Sequence, residues 1–118
     1  MEIFTIQMAK WRLCEPLGIK FIDTTFKKET AFSPTKEMVH GYKYGSVSQE
    51  EYSERYNAIL NQTQETSPEE WEALFEYAKV AIACMCRPGV FCHRHLCVAK
   101  ILTYAQERGH HCVYMGEI

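Results

Sequence analysis

Hydrophobic and polar positions along this chain fall into short β-rich runs separated by longer stripes of helical period. Glu2 to Gln7 (E-I-F-T-I-Q) is rich in β-formers and predicts a first strand. Met8 to Leu17, with Lys10, Trp11, Arg12, Leu13 and Cys14, predicts a short helix closed by Pro16 and Gly18. Ile19 to Thr25 predicts a second strand with Asp23 and the threonines at its carboxyl end. Two capping boxes then announce helices. Ser48 stands three residues before Glu51, and Ser67 before Glu70 with Pro68 at the first helical position. Tyr52, Tyr56, Ile59 and Leu60 form one apolar stripe, and Trp71, Leu74, Phe75 and Ala78 a second. Val80 to Cys86 is continuously apolar, as a central parallel strand covered on both faces should be. Leu96, Ala99, Leu102 and Ala105 supply the face of a last helix that stops at Arg108-Gly109, and Cys112 to Met115 reads as a closing strand.

Strands interleaved with helices imply an α/β fold: a small Rossmann-like three-layer domain with a mostly parallel sheet of about four strands and right-handed crossovers. Residues 1–118 read as one domain, with no internal repeat, linker or low-complexity tract. Phe26 to Val47 reads as an irregular connection, and a loop of that length in a compact domain is usually functional.

Composition narrows the class. An apolar fraction of 47% with 13% aromatics describes a folded globule and excludes disorder. The longest apolar run is too short to span a bilayer, and Met1-Glu2-Ile3-Phe4 lacks the basic and apolar regions of a signal peptide. A cytoplasmic protein without membrane partners is the expectation. The six cysteines are therefore expected to be reduced, with Cys14, Cys97 and Cys112 filling core positions. Net charge is -2, unevenly spread: Ser48 to Lys79 holds eight glutamates against Arg55 and Lys79. The mildly basic remainder favours an anionic ligand, whereas nucleic acid is disfavoured for want of a basic stripe. A solvated helix face explains the acidic flank most simply.

The chemistry gathers in Cys84-Met85-Cys86-Arg87-Pro88-Gly89-Val90-Phe91-Cys92-His93-Arg94, between a strand and a helix. Open α/β sheets place ligands at such strand ends, and the following helix offers free N–H groups and its dipole to an anion. That field, with Arg94 beside it, favours the thiolate. A metal ion would find Cys84, Cys86, Cys92 and His93. The spacing is not that of a usual structural zinc site, however, and one helix start is not expected to aim both Cys92 and His93 at one ion. No metal or other cofactor is therefore assigned. A phosphatase-type loop fails on the seven residues between Cys86 and Arg94. The plain structural alternative is that Cys84 and Cys86 are buried strand residues and Arg94 pairs with Asp23. No glycine-rich dinucleotide fingerprint or Walker loop is present.

At these residues the chain resembles the prokaryotic and phage branch of domain-of-unknown-function family 488, across nearly its whole length. The motifs are Asp23 and Thr25 with Lys27, Phe32-Ser33-Pro34-Thr35, the Tyr52 and Tyr56 helix, Cys84-Met85-Cys86, Cys92-His93-Arg94 and Gly116-Glu117. Ser33 stands where the branch has alanine and Met85 where it has tyrosine. The arginine that many members carry after the second-strand aspartate is replaced by Thr24-Thr25, which leaves Lys27 as its substitute. The resemblance implies a small α/β fold with a pocket where the motifs converge, and no settled reaction.

The expected function is a site for an anionic, nucleotide-like small molecule. Its catalytic candidates are Cys84, Cys92 and Arg94. Its ligand-binding candidates are Asp23, Thr25, Lys27, Phe32, Thr35, Tyr42, Cys86, His93, Arg94 and Glu117. Arg94 and the helix start would hold the anion, Asp23 would orient Arg94 or a ligand hydroxyl, and a cysteine would be the nucleophile if the protein is an enzyme. The alternatives are a non-catalytic protein that sequesters or senses a nucleotide, and an interaction module using the acidic helices. A homo-oligomer is compatible with all three.

Overall fold

The computed structural model describes residues 1–85 and 92–118. Strands β1 (Glu2–Gln7), β2 (Lys20–Asp23), β3 (Lys79–Cys84) and β4 (Val113–Glu117) form one sheet in the order β2-β3-β1-β4. Every pairing is parallel, with Gln7 opposite Cys84 and Asp23 opposite Ala83. Helices α1 (Lys36–Lys43), α2 (Gln49–Thr66) and α3 (Pro68–Ala73) lie between β2 and β3, and α4 (His93–Glu107) between β3 and β4. This is the expected small Rossmann-like α/β domain.

Crossover handedness explains how the layers fill. The chain leaves β1 in one direction to reach β2, then moves back through β3 to β4. If every parallel crossover keeps the same right hand, the first must cover one face and the next two the other. The two cores agree. Ile3, Val80 and Ile82 pack with Tyr56, Leu60, Trp71, Ile101 and Tyr104 from the helices. On the opposite face Ile6, Ala81 and Ala83 pack with Cys14 and Ile19. The third layer is thus thin, made of turns alone.

The helical core centres on Trp71, which is fully buried between Phe32, at 4.9 Å, and Tyr104, at 5.0 Å between ring centroids. Its indole N–H donates to Thr63 Oγ1 at 3.1 Å, so the ring is buried without stranding a donor. Tyr56, also fully buried, donates its hydroxyl to the Phe32 carbonyl at 2.6 Å and clamps the loop after β2 onto α2.

Four expectations change. Met8 to Leu17 forms two 3-10 turns, Met8–Leu13 and Glu15–Leu17, where a short helix was expected. Pro16 cannot extend the ladder, and Cys14 O instead accepts from Leu17 N and Ile19 N. The second strand stops at Asp23, so Thr24 and Thr25 lie beyond it. The 26–47 connection contains α1, capped by Thr35, whose side chain accepts from Met38 N at 3.2 Å. Gly41 suggests a turn there, yet it sits within α1, where glycine leaves room for the Val47 side chain: Val47 Cγ2 lies 2.5 Å from where a Cβ would be. Finally, α4 buries Arg94, Cys97, Val98, Ile101, Tyr104 and Ala105, a face rotated from the expected one, leaving Ala99 exposed. A pattern reading that places every arginine outside gets the phase of this helix wrong, because Arg94 points inward.

Of the two capping boxes, only one makes its side-chain bond. Ser48 Oγ accepts from Glu51 N at 3.1 Å, whereas Ser67 makes no such bond and starts α3 through Pro68. Ser48→Ala should lower stability by about 1 kcal/mol, and Ser67→Ala by clearly less. Urea titration of both variants checks this, and equal losses would refute the assignment of Ser48 as the effective cap.

Candidate functional site

All four strands point their carboxyl ends at one edge, where β1 and β3 send their following connections to opposite faces of the sheet. That divergence opens the crevice in which such folds hold ligands. Cys84 is the last residue of β3 and lies opposite Gln7. Cys92 is the N-cap of α4, with extended backbone (φ -155, ψ 149), and His93 is its first helical residue. At this cap the backbone passes from extended to helical, which changes the direction of successive side chains. Cys92, His93 and Cys84 therefore face one another, and one ligand atom from each lies within 4.8 Å of the others. One helix start was not expected to aim Cys92 and His93 at one ion, yet their ligand atoms lie close together and close to Cys84.

His93 is buried and its tautomer is set by its partners. Nε2 lies 2.9 Å from the Thr24 carbonyl oxygen and 2.9 Å from Thr24 Oγ1. Thr24 Oγ1 itself donates to Ala83 O at 2.8 Å. A carbonyl only accepts, so the proton sits on Nε2 and the Nδ1 lone pair faces Cys92 Sγ, 3.8 Å away. Burial pushes the imidazole pKa down to about 4, and the Arg94 charge acts in the same direction. The Thr24 hydrogen bond and the Asp23 charge oppose them. His93 is thus neutral near pH 7. The Tyr56 ring meets it edge-on at 5.3 Å between centroids.

Arg94 is fully buried. Its Nε donates to Glu117 Oε1 at 3.2 Å and its Nη1 to Cys84 Sγ at 2.8 Å. A permanent cation inside the protein needs such partners, because an uncompensated buried charge costs several kcal/mol. Glu117 reaches it through a bulge. Ile3 pairs with Tyr114, but Phe4 pairs with Gly116, and the register shifts between them. Side chains alternate along a strand, so this one-residue slip moves Glu117 to the face of Thr5, on which α4 packs. Gly116 absorbs the slip at φ +114, a conformation suited to glycine.

The cysteines depart from the uniformly reduced expectation. The structure joins the sulfurs of Cys84 and Cys92, although their Cα atoms are 7.7 Å apart, wider than a disulfide spans without backbone movement. Cys14 and Cys97 are buried and Cys112 half-buried; burial pushes the Cys97 thiol up to about 12 and raises the other two. Those three are packing residues.

The remaining candidates divide. Asp23 accepts from Thr25 N at 2.9 Å and so braces the end of β2, while among the described residues Glu117 is the carboxylate paired with Arg94. The proposed pairing of Asp23 with Arg94 is replaced by these two contacts. Thr25 O accepts from Ser33 Oγ at 2.8 Å. Phe32 packs on Trp71, Thr35 caps α1, and Tyr42 leans on Tyr52 at 5.6 Å, so each has a structural task. Lys27 is exposed on the turn Phe26–Lys28. Cys86 lies outside the described residues. Sequence reasoning missed Thr24, which is wholly buried and holds His93; its signal was a second threonine directly after the strand-end aspartate. An open groove of about 430 Å³ runs beside β2 with Asp23, Lys28, Phe32 and Glu70 among its lining residues.

Fold and site together define a small Rossmann-like α/β protein with a cysteine-centred cluster at the carboxyl edge of its sheet. The family model described as "DUF488-N3a: Active DUF488-N3 subclade" matches residues 20–106, and the chain belongs to the DUF488 family. No curated protein and no solved structure matches it. No helix among the described residues is long and apolar enough to cross a membrane.

The depressed His93 pKa has a signed consequence. Between about pH 4 and 6.5 the unfolded imidazole binds a proton that the folded one refuses, so stability is lost as pH falls through that window. Reduced, chelator-treated protein should lose about 2 kcal/mol on this account between pH 7 and 5. Urea unfolding across that range measures it. His93→Gln should flatten the dependence, and an unchanged slope in that variant would assign the effect elsewhere.

Proposed function

We propose that the carboxyl edge of the sheet is a thiol-dependent small-molecule site in which Cys84 is the nucleophile. The observation that carries this reading is the 2.8 Å approach of Arg94 Nη1 to Cys84 Sγ, in full burial. A guanidinium held there stabilises negative charge on the sulfur and so favours the reactive thiolate. Glu117 fixes the guanidinium's orientation. Cys92 stands beside the nucleophile, and neutral His93 offers Nδ1 as a proton acceptor to the Cys92 thiol. The working form is reduced, which suits a cytoplasmic location.

The ligand is read as anionic and nucleotide-like. Support comes from the start of α4, where the helix dipole favours an anion and the first turn holds no acidic residue, and from Lys27 and Lys28 on the turn after Asp23. Arg94 supports the thiolate, with Glu117 and Cys84 as its partners, so the helix start and the lysines carry the anion. Non-catalytic sequestration would use the Arg94–Cys84 contact only to satisfy the buried guanidinium. The interaction-module reading has less support, since Glu70 accepts from Ala31 N at 3.2 Å and Glu72 pairs with His110 at 2.9 Å.

Iodoacetamide labelling of reduced, chelator-treated native protein, mapped by peptide mass spectrometry, tests the proposal. Cys84 should be modified near neutral pH, Arg94→Gln should slow it by about 10-fold or more, and a member of a nucleotide panel should protect it. If Cys84 and Cys92 react only after unfolding, the nucleophilic role is lost.

A further inference from the structure

The same three side chains have a second capacity that depends on their geometry alone. Two sulfurs and one imidazole nitrogen lie within 4.8 Å of one another, all from buried residues. Cys92 Sγ and His93 Nδ1 are 3.8 Å apart. Two ligand atoms on a tetrahedral zinc ion, with Zn–S about 2.3 Å and Zn–N about 2.0 Å, stand about 3.6 Å apart. This pair is therefore already spaced for a shared ion. The Cα atoms of Cys84 and Cys92 are 7.7 Å apart, wider than a disulfide spans, so in the reduced form the two backbones leave room for the sulfurs to part and hold an ion between them.

The surroundings match what a metal ligand requires. A ligating histidine presents one nitrogen to the ion and donates its other N–H to a fixed acceptor, most often a carboxylate or backbone carbonyl. His93 does this with Nε2–H on the Thr24 carbonyl, while its Nδ1 faces the thiols. A ligating thiolate is commonly steadied by an N–H donor, and Cys84 Sγ receives one from Arg94 Nη1. Charge also balances. Two thiolates neutralise a divalent ion, and Arg94 with Glu117 forms a separate neutral pair, so the filled site carries no net buried charge. The donor set is soft, two sulfurs and a nitrogen, which selects zinc-like ions over magnesium or calcium.

We propose that Cys84, Cys92 and His93 bind a thiophilic divalent cation of the zinc type through Sγ, Sγ and Nδ1. Three protein ligands leave a coordination position for water or an anionic ligand, the arrangement of an open site. The inference uses the thiol pair of the functional reading but not its nucleophilic chemistry.

Cobalt(II) added to reduced, chelator-stripped protein under anaerobic conditions reads the site directly. One equivalent per chain should give thiolate-to-cobalt charge-transfer absorption and the intense visible bands of tetrahedral cobalt. Cys84→Ser and Cys92→Ser should each reduce the charge-transfer band, and the double variant should abolish it. His93→Gln should weaken affinity by at least about 10-fold. Should the variants fold poorly, wild-type protein decides: stoichiometric Zn²⁺ should slow iodoacetamide labelling of both Cys84 and Cys92 at least about 10-fold. No charge-transfer band, a band that survives in the folded double variant, or zinc-independent labelling each overturns the proposal. Reactive Cys84 without metal binding would remove this inference and keep the thiol reading; metal binding with an inert Cys84 in stripped protein would do the reverse.

Discussion

The buried guanidinium of Arg94 is the constraint around which this small domain is arranged. Withdrawing an arginine from water costs several kcal/mol unless charge and hydrogen-bond partners meet it inside. Here they come from two strands that are separated in the sheet by β1: Cys84 at the end of β3 and Glu117 in β4. The pairing ties the last strand to the centre of the sheet through α4. It also sets the rotation of that helix, because the face carrying Arg94 must be the face carrying Cys97, Val98 and Ile101.

Several local features make sense only against that demand. The bulge opposite Ile3 and Phe4 costs one irregular pairing and returns a carboxylate to the correct side of the sheet. The extended Cys92 cap directs its thiol back toward β3 while His93 begins the helix. Thr24, one residue past β2, spends its hydroxyl on β3 and its backbone carbonyl on His93, linking three elements through one small residue. Each device is inexpensive alone. Together they hold two sulfurs, a neutral imidazole and a cation in a buried cluster, where electrostatic interactions are stronger than in water.

Much of this was legible in the chain, and the rest failed for identifiable reasons. The strands were readable because β-forming runs and a continuous apolar stretch carry their own signal, and the order of elements implied the parallel sheet. Residues 36–43 read as loop because Gly41 suggests a turn, whereas the neighbouring Val47 side chain occupies the glycine's open space. The phase of α4 was misread because periodicity treats arginine as a solvent residue. Phe32, Thr35 and Tyr42, read as ligand-binding candidates, also have structural tasks that no local pattern showed. Their tasks, packing on Trp71, capping α1 and leaning on Tyr52, appear only with the neighbours in place.

The sequence by itself determined the α/β class, the strand-to-helix segment that carries the chemistry, and the residue types available there. Hydrophobic period and chain-local motifs suffice for those, since both depend on neighbours within a few residues. Tertiary structure alone decided that Arg94 answers to Glu117 and Cys84 while Asp23 braces its own turn. It also decided that Cys92 and His93 converge on Cys84, and that Thr24 sets the imidazole tautomer. Those outcomes depend on a one-residue register shift, a helix rotation and an extended cap. Each is chosen by the free energy of burying a charge among partners distant in the chain, and no local pattern of residues records it.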